Sequence, residues 1–352
     1  MRPSSAREIA FEILLAVEKG GYASDLLRRK SGELAARDAG LAETIVFGVL
    51  RRRAQLDFLI EHFSGRSQIK LDPEVRAALR MGILQLRFLD RIPAHAAVSE
   101  SVELVKKAGK RSAASLVNAI LRKVDRREVK WPCLAVELNV PVWMLARWDA
   151  QYGPEMAEGI ARAALEEPQA YVNPETGRQQ DIGAQAIAPL LDLTPGITLL
   201  DLCAAPGNKT AQAIAMGARV VACDRYESRL RAVPEAAARV VLDATQALPF
   251  TGKFDRILID APCSGTGTLG RNPEIKWRLS LRDLPEFQAR QRKMIEQALP
   301  LLKADGRMVY ATCSLEREEN EDATAGFNVR ETHTRIPGRD EGDGFFAAVI
   351  VE

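Results

Sequence analysis

The first third of the chain repeats apolar residues at the spacing of one helical face. Ile9, Ile13, Leu14 and Val17 mark a helix over residues 6–19, which Gly20-Gly21 closes. Leu41, Ile45, Val49, Leu56, Leu59 and Ile60 continue that period over 39–63. Pro73, just after Asp72, starts a helix predicted to run to residue 89, and Pro93 punctuates before two more over 96–108 and 112–124. Residues 131–170 carry a weaker helical pattern with Trp131, Trp143 and Trp148, read as a packing surface between domains rather than a base-stacking platform. From residue 198 the texture changes. Apolar runs of strand length at 198–203, 219–224, 240–243, 254–260 and 307–312 alternate with helical stretches. This predicts a Rossmann-like α/β core, a mainly parallel sheet with helices on both faces. Segments 327–333 and 345–351, around Gly342-Asp343-Gly344, add a terminal antiparallel hairpin. The pattern divides the chain into an all-helical region 1–130, a helical connector 131–180 and an α/β domain 181–352.

Composition removes several function classes. Among 352 residues, 47% are hydrophobic and 27% charged, an ordinary globular balance that excludes whole-chain disorder. No stretch approaches the roughly 20 uninterrupted apolar residues of a membrane span, so no membrane role is expected. The apolar run near the N-terminus contains acids and makes a poor signal peptide. Five cysteines without regular spacing exclude a disulfide scaffold and point to a reducing, cytoplasmic setting. The three histidines, His62, His95 and His333, are far apart, and no metal site is expected.

The formal net charge of +2 speaks against a nucleic-acid partner until it is divided. Residues 1–130 hold 25 Lys+Arg against 16 Asp+Glu, a net of +9, and the remainder holds 24 against 31, a net of −7. Basic residues cluster at Arg28-Arg29-Lys30, Arg51-Arg52-Arg53, Lys106-Lys107, Lys110-Arg111, Arg122-Lys123 and Arg126-Arg127. Six clusters in one helical region predict a shared basic surface of the kind that meets nucleic acid.

The chemistry concentrates where strands end. Thr198–Thr210 reads TLLDLCAAPGNKT, a strand, a small-residue loop and a helix start. It lacks the G-x-G-x-x-G spacing of a dinucleotide fingerprint, which sets a dehydrogenase aside. Asp201, Asp224, Asp243 and Asp260 each end a predicted strand, where α/β folds bind ligands, and an acid at the second strand's tip suits ribose hydroxyls. DLCAAPGNKT resembles the D-x-C-A-A-P-G-G-K-T signature of the RNA cytosine-5 methyltransferase family, which uses S-adenosylmethionine. The resemblance implies a cofactor site at Cys203, Ala204, Ala205, Pro206, Gly207, Asn208, Lys209, Asp224, Asp243 and Asp260. Asn208 stands where the family has glycine. Asn tolerates positive φ, so the turn is expected to survive with some loss of cofactor affinity.

Two further motifs, IDAPCSGTGTLGRNPEIKWR from Ile259 and YATCSLEREENE from Tyr310, each place a cysteine past a strand. Carbon 5 of cytosine is a poor nucleophile. A thiolate adding to carbon 6 makes it enamine-like, and a base must later remove the carbon-5 proton. DNA-type enzymes use the cysteine of a Pro-Cys motif, here Cys263. The T-C-S motif of the RNA family instead implies Cys313 as nucleophile and Cys263 in proton removal or product release. Asp260 then hydrogen-bonds the cytosine ring, and Lys209 supports it. Arg271, Lys276 and Arg278 are candidate contacts to RNA phosphates. Cys133 and Cys223 read as structural thiols.

Residues 39–127 contain ETIVFGVLRRRAQLDFLI, VRAALRMGILQLRFLDRIPAHAAVSESVELVK and SLVNAILRKV, which resemble the NusB-like domain fused to bacterial small-subunit rRNA cytosine methyltransferases. The resemblance implies one cytosine of 16S rRNA as target, naked or partly assembled, and a monomeric enzyme. Methylation of another RNA such as tRNA, or a non-catalytic NusB-like assembly factor, are the competing readings. That family also carries a small α/β RNA-binding subdomain before the sheet. Here Val172-Asn173-Pro174 runs within a few residues into Gln180-Asp181, leaving no room for its β portion. The stretch from Asp224 to Asp243 and the tail after Asn320 are short as well, so the natural chain is expected to be longer at these loops.

Overall fold

The computed structural model describes residues 3–32, 34–67 and 70–352, and divides into two units. One runs through Leu165 and also holds Asn272–Arg278; the other comprises Glu166–Arg271 and Leu279–Glu352.

The first unit is helical, as its period predicted. Its helices are α1 (Ser5–Glu18), α2 (Ala23–Lys30), α3 (Ala36–Arg51), α4 (Arg53–Ser64), α5 (Pro73–Arg87), α6 (Ala94–Lys107) and α7 (Ala114–Leu121). Helix α5 is buried on nearly every side from Val75 to Gln85, so it is the centre around which the others pack. Gly48 of α3 lets Leu84 approach: a Cβ there would lie 2.8 Å from the Leu84 side chain. Arg80, buried within α5, is charge-matched by Asp57 at 2.7 and 2.8 Å and Glu18 at 2.9 Å. A buried guanidinium needs such partners. The single helix predicted over 39–63 is two, broken at Arg52, whose guanidinium instead lies over the Phe88 ring. Short helices α8 (Leu134–Glu137), α9 (Val142–Tyr152) and α10 (Pro154–Ala163) complete this part of the chain. Trp148 is fully buried and Trp131 meets Phe58 edge-on, so both pack this unit's own interior.

Five of the six basic clusters contain residues paired with acids, among them Lys30–Glu12, Lys107–Glu8 and Lys110–Asp72. Exposed pairs of this kind are worth only about 0–1 kcal/mol each.

The segment Asn272–Arg278 folds with the helices although it lies between two sheet strands in sequence. Trp277 Nε1 donates to the Leu50 carbonyl at 2.9 Å and Lys276 Nζ to the Arg51 carbonyl at 3.1 Å. These are end carbonyls of α3, which have no partner inside their own helix. Glu274 accepts from the Ala23 amide at 2.9 Å, and Arg278 donates to the Gly21 carbonyl. This corrects the expectation that Lys276 and Arg278 meet RNA phosphates. Lys276 is 1% exposed, and the Arg278 guanidinium is occupied by backbone and the Tyr22 ring.

The second unit is a seven-stranded sheet in the order β3-β2-β1-β4-β5-β7-β6. The strands are β1 (Thr198–Asp201), β2 (Arg219–Asp224), β3 (Ala238–Val241), β4 (Phe254–Asp260), β5 (Leu302–Thr312), β6 (Val329–Arg335) and β7 (Phe345–Ile350). The first five pair in parallel, and β7 is antiparallel to both β5 and β6. Alternate residues serve opposite faces: Leu199, Leu258 and Val309 enter one core, and Leu200, Ile257 and Met308 the other. Both faces being covered, the strands read as continuous apolar runs. All five parallel strands leave their C-terminal ends on one edge. Strand β3 begins and ends two residues before the predicted 240–243, because Asp224 pairs with Val241. Asp243 therefore lies in the following turn, where it accepts hydrogen bonds from Thr245. Around Pro174 the chain makes a tight turn capped by Asn173, closed by a bridge from Val172 to Gln179.

Candidate functional site

The loop after β1 and the helix α11 (Asn208–Ala215) that follows it form one wall of the site. Gly207 carries the turn at φ 96°, and a Cβ there would lie 2.8 Å from Val233 Cα, so both conformation and space demand glycine. Asn208 does not take the positive φ expected of it; it opens the helix with ordinary backbone. Its side chain instead accepts from Arg178 Nε at 2.8 Å and donates to the Gln179 carbonyl at 3.0 Å. The departure from the family pattern thus falls on a side-chain bridge, not on the turn.

A cavity of about 350 Å³ opens beside this loop, lined by Cys203, Ala204, Ala205, Pro206, Asn208, Lys209 and Asp260 among others. Asp201, at the tip of β1, also faces it. One of its carboxylate oxygens accepts from Thr210 at 2.6 Å, while the other is buried without a partner. Burial, reinforced by the Asp260 charge, pushes this carboxyl up to about 7. Lys209 Nζ donates to Asp260 at 2.6 Å. Burial opposes the lysine's charge, but Asp260 outweighs it and raises Lys209 above its ordinary value.

Of the opposite wall the sequence singled out only Arg271, and that as a candidate contact to RNA phosphates; its guanidinium is instead paired with two acids. Arg271 lies between Asp343 at 2.6 Å and Asp181 at 2.7 Å. Asp181 also accepts from the Asp343 and Gly183 amides. Burial, with the Asp181 charge, pushes Asp343 up to about 6. Gly342-Asp343-Gly344 signalled only a turn, and Gln180-Asp181 only a loop. Asp224 and Asp243 lie outside this cavity: Asp224 accepts from the Tyr226 amide at 2.9 Å and sits 3.5 Å from Arg229. Gly207 is not among the lining residues either.

The two cysteines meet. Cys263, in the loop after β4, and Cys313, just past β5, have their sulfurs 3.3 Å apart. The Cys313 hydrogen bond and burial hold the Cys263 thiol well above its ordinary value, and either sulfur can donate in the pair. Gly267 fixes the Cys313 backbone, donating its amide to the Cys313 carbonyl at 2.9 Å. A Cβ on Gly267 would lie 2.5 Å from the Gly344 carbonyl oxygen. Cys223 is buried in the core, whereas Cys133 is exposed rather than structural.

Residues 188–331 match the model of the family described as 16S rRNA methyltransferase RsmB/F, and residues 4–126 that of the NusB family. The chain is 32% identical to ribosomal RNA small subunit methyltransferase B of Escherichia coli O127:H6, over 96% of each protein. The chain belongs to the ribosomal RNA small subunit methyltransferase B family. The probable member from Bacillus subtilis is 30% identical over 93% of this chain and 89% of its own length. That alignment runs over 398 positions, so it crosses stretches of the relative that have no counterpart here. Among solved structures, PH0851 superposes with a TM-score of 0.80 at 21% identity, covering 99% of this chain and 98% of its own, a likeness of fold. A methyltransferase homologue from Pyrococcus horikoshii gives a TM-score of 0.51 at 24% identity, over 61% of this chain and 96% of its own. As a member of this family the chain is an RNA methyltransferase that uses S-adenosylmethionine and acts on rRNA. The site fits that group: a small-residue loop lines the cavity together with Asp201, one of whose buried carboxylate oxygens has no partner. Among the described residues no helix is long and apolar enough to cross a membrane, and no cluster of metal-ligating side chains occurs.

Proposed function

We propose that this chain methylates carbon 5 of one cytosine in 16S rRNA through a covalent cysteine–cytosine adduct. The observation that carries the reading is the cysteine pair, 3.3 Å apart at the ends of neighbouring strands, one strand of which also ends in the Lys209-bound Asp260. S-adenosylmethionine, when bound, supplies a methyl group on a positively charged sulfur. The loop Cys203–Lys209 would hold it, and Asp224 and Asp243 would accept from its ribose hydroxyls. Cys313 adds to carbon 6 of the cytosine. Asp260 hydrogen-bonds the ring and Lys209 orients Asp260. Cys263 is a thiol at rest because its hydrogen bond with Cys313 and its burial hold it well above its ordinary value. Once the Cys313 sulfur is committed to the C–S bond that influence ends, the Cys263 proton passes to water, and Cys263 can take the carbon-5 proton. Elimination then frees Cys313.

The helical region 1–130 serves as the RNA-binding domain, 131–180 as a connector and 181–352 as the methyltransferase domain. The enzyme works as a monomer in the cytoplasm on naked or partly assembled rRNA, whose target base must be splayed out of its stack.

Cys313→Ala should bind cofactor in calorimetry yet transfer no methyl, and Cys263→Ala should accumulate a protein–RNA adduct on a denaturing gel. Full turnover by the first variant, or normal product release by the second, removes the assigned role. Bisulfite mapping of 16S rRNA with and without the gene identifies the base.

A further inference from the structure

The mechanism leaves one buried acid unused. Glu319 is 0% exposed, in the loop after β5, and hydrogen-bond donors surround its carboxylate. Oε1 accepts from the Ser264 amide at 2.8 Å and from Gln291 Nε2 at 3.1 Å. Oε2 accepts from Ser314 Oγ at 2.5 Å and from the Ser264 hydroxyl. Ser264 directly follows Cys263, and Ser314 directly follows Cys313. Each serine hydroxyl has one proton, and both protons can be directed to the same carboxylate oxygen. Four donors and no acceptor face this group, which suits an ionised carboxylate and no neutral side chain of similar shape.

The surroundings make Glu319 a fixed post. Its backbone carbonyl accepts the Tyr310 hydroxyl at 2.6 Å from inside β5. Gln291, which reaches it from helix α12 (Leu284–Ala298), also donates to the Pro262 carbonyl at 3.1 Å. The next residue, Asn320, accepts from Thr312 at 2.6 Å and donates to the Ser314 carbonyl at 2.9 Å. The loops after β4 and β5 are thus tied to one anchored anion rather than only to each other.

We propose that Glu319 is a positioning residue for methyl transfer: its carboxylate clamps Ser264 and Ser314 and so sets the distance and aim of Cys263 and Cys313. Its charge has a second effect. A buried negative group beside Cys263 disfavours a thiolate there and helps keep that sulfur protonated while Cys313 attacks. This inference rests on the cysteine reading above and adds the group that places both sulfurs.

Glu319→Gln tests it in the full chain. The amide turns an N–H₂ toward hydrogen-bond donors, breaking the clamp, and removes the charge. The kcat for 16S rRNA methylation should fall about 30-fold, with KM for RNA unchanged within about twofold, the scale expected of a displaced reacting group. In the same protein the pH profile of Cys263 alkylation by iodoacetamide, read by peptide mass spectrometry, should move to lower pH. An unchanged kcat overturns the proposal. So does a lowered kcat with an unmoved Cys263 profile, which would make Glu319 merely structural. If Glu319→Gln does not fold, Ser264→Ala and Ser314→Ala replace it. Each removes one tie and keeps the charge, so kcat should drop while the Cys263 profile stays in place, and full activity of both overturns the clamp. The cysteine reading is checked apart from this by the Cys263→Ala adduct with Glu319 intact. Its absence refutes that reading, whereas an adduct formed at equal rates with and without Glu319→Gln refutes only the positioning role.

Discussion

Lys209 and Lys276 both leave water, and their surroundings drive them in opposite directions. Lys209, in the sheet unit, meets Asp260 at 2.6 Å, and that carboxylate raises it above its ordinary value despite burial. Lys276, in the helical unit, meets the Arg51 carbonyl and the Trp277 ring, with the Arg51 and Arg52 charges nearby. Burial, with those two charges, pulls it down to about 7. A buried ammonium with a carboxylate is a tool that remains charged beside the cavity. One held by a carbonyl and a ring is a structural plug whose charge is a burden. Residue type alone distinguishes neither.

That contrast can be broken at either lysine. The largest effect is expected of Lys209→Met, which leaves Asp260 without its cation next to Asp201. Single-turnover methyl transfer should slow about 100-fold, the scale of losing one preorganised polar group, while thermal stability near pH 7 changes little. Near-normal transfer would make Lys209 as passive as Lys276.

Lys276→Met should act on stability. An unfolded lysine titrates near 10.4, and the folded one near 7. Between these values the unfolded chain binds more protons, so wild-type stability rises with pH across that window and the penalty is complete below it. The variant should be the more stable by about 2 kcal/mol at pH 6, after allowing for the lost hydrogen bond to Arg51, with the gap closing toward pH 10. Parallel melting-temperature curves for the two proteins across that range would show that Lys276 is not strained.

The smallest effect belongs to the residue beside Lys209. Asn208→Gly restores the family's usual residue but removes the bridge to Arg178 and Gln179. Cofactor affinity by calorimetry should weaken about threefold, a net loss below 1 kcal/mol. Tighter binding would show that the bridge contributes nothing and the glycine is preferred.

Much of the fold was legible because its physics is local or periodic. Strands β2 and β4 fell where continuous apolar runs placed them, since a sheet covered on both faces has no polar side to disguise it. Strand β3 slipped by two residues because its register is set by Asp224 and Val241 pairing across a ladder. The break at Arg52 lay hidden in an unbroken helical period. At the site, the loop Cys203–Lys209 was legible from its small residues, and the structure brings most of it to one cavity with Asp260. The Arg271–Asp343–Asp181 wall and the Glu319 clamp were not: Arg271 and Glu319 lie inside the two cysteine motifs, but partners that give them their roles, Asp181, Asp343 and Ser264, lie dozens of positions away.

Sequence alone determined the helical and α/β halves, their opposed charges, and the two motifs that each carry a cysteine past a strand, because period, composition and short motifs are properties of neighbouring residues. Only the tertiary structure decided which of the charged residues face a cavity and which plug a helix end. It also decided that two sulfurs fifty positions apart lie 3.3 Å from each other. Burial and partner identity set what each of these groups can reach, and both arise only when distant segments pack.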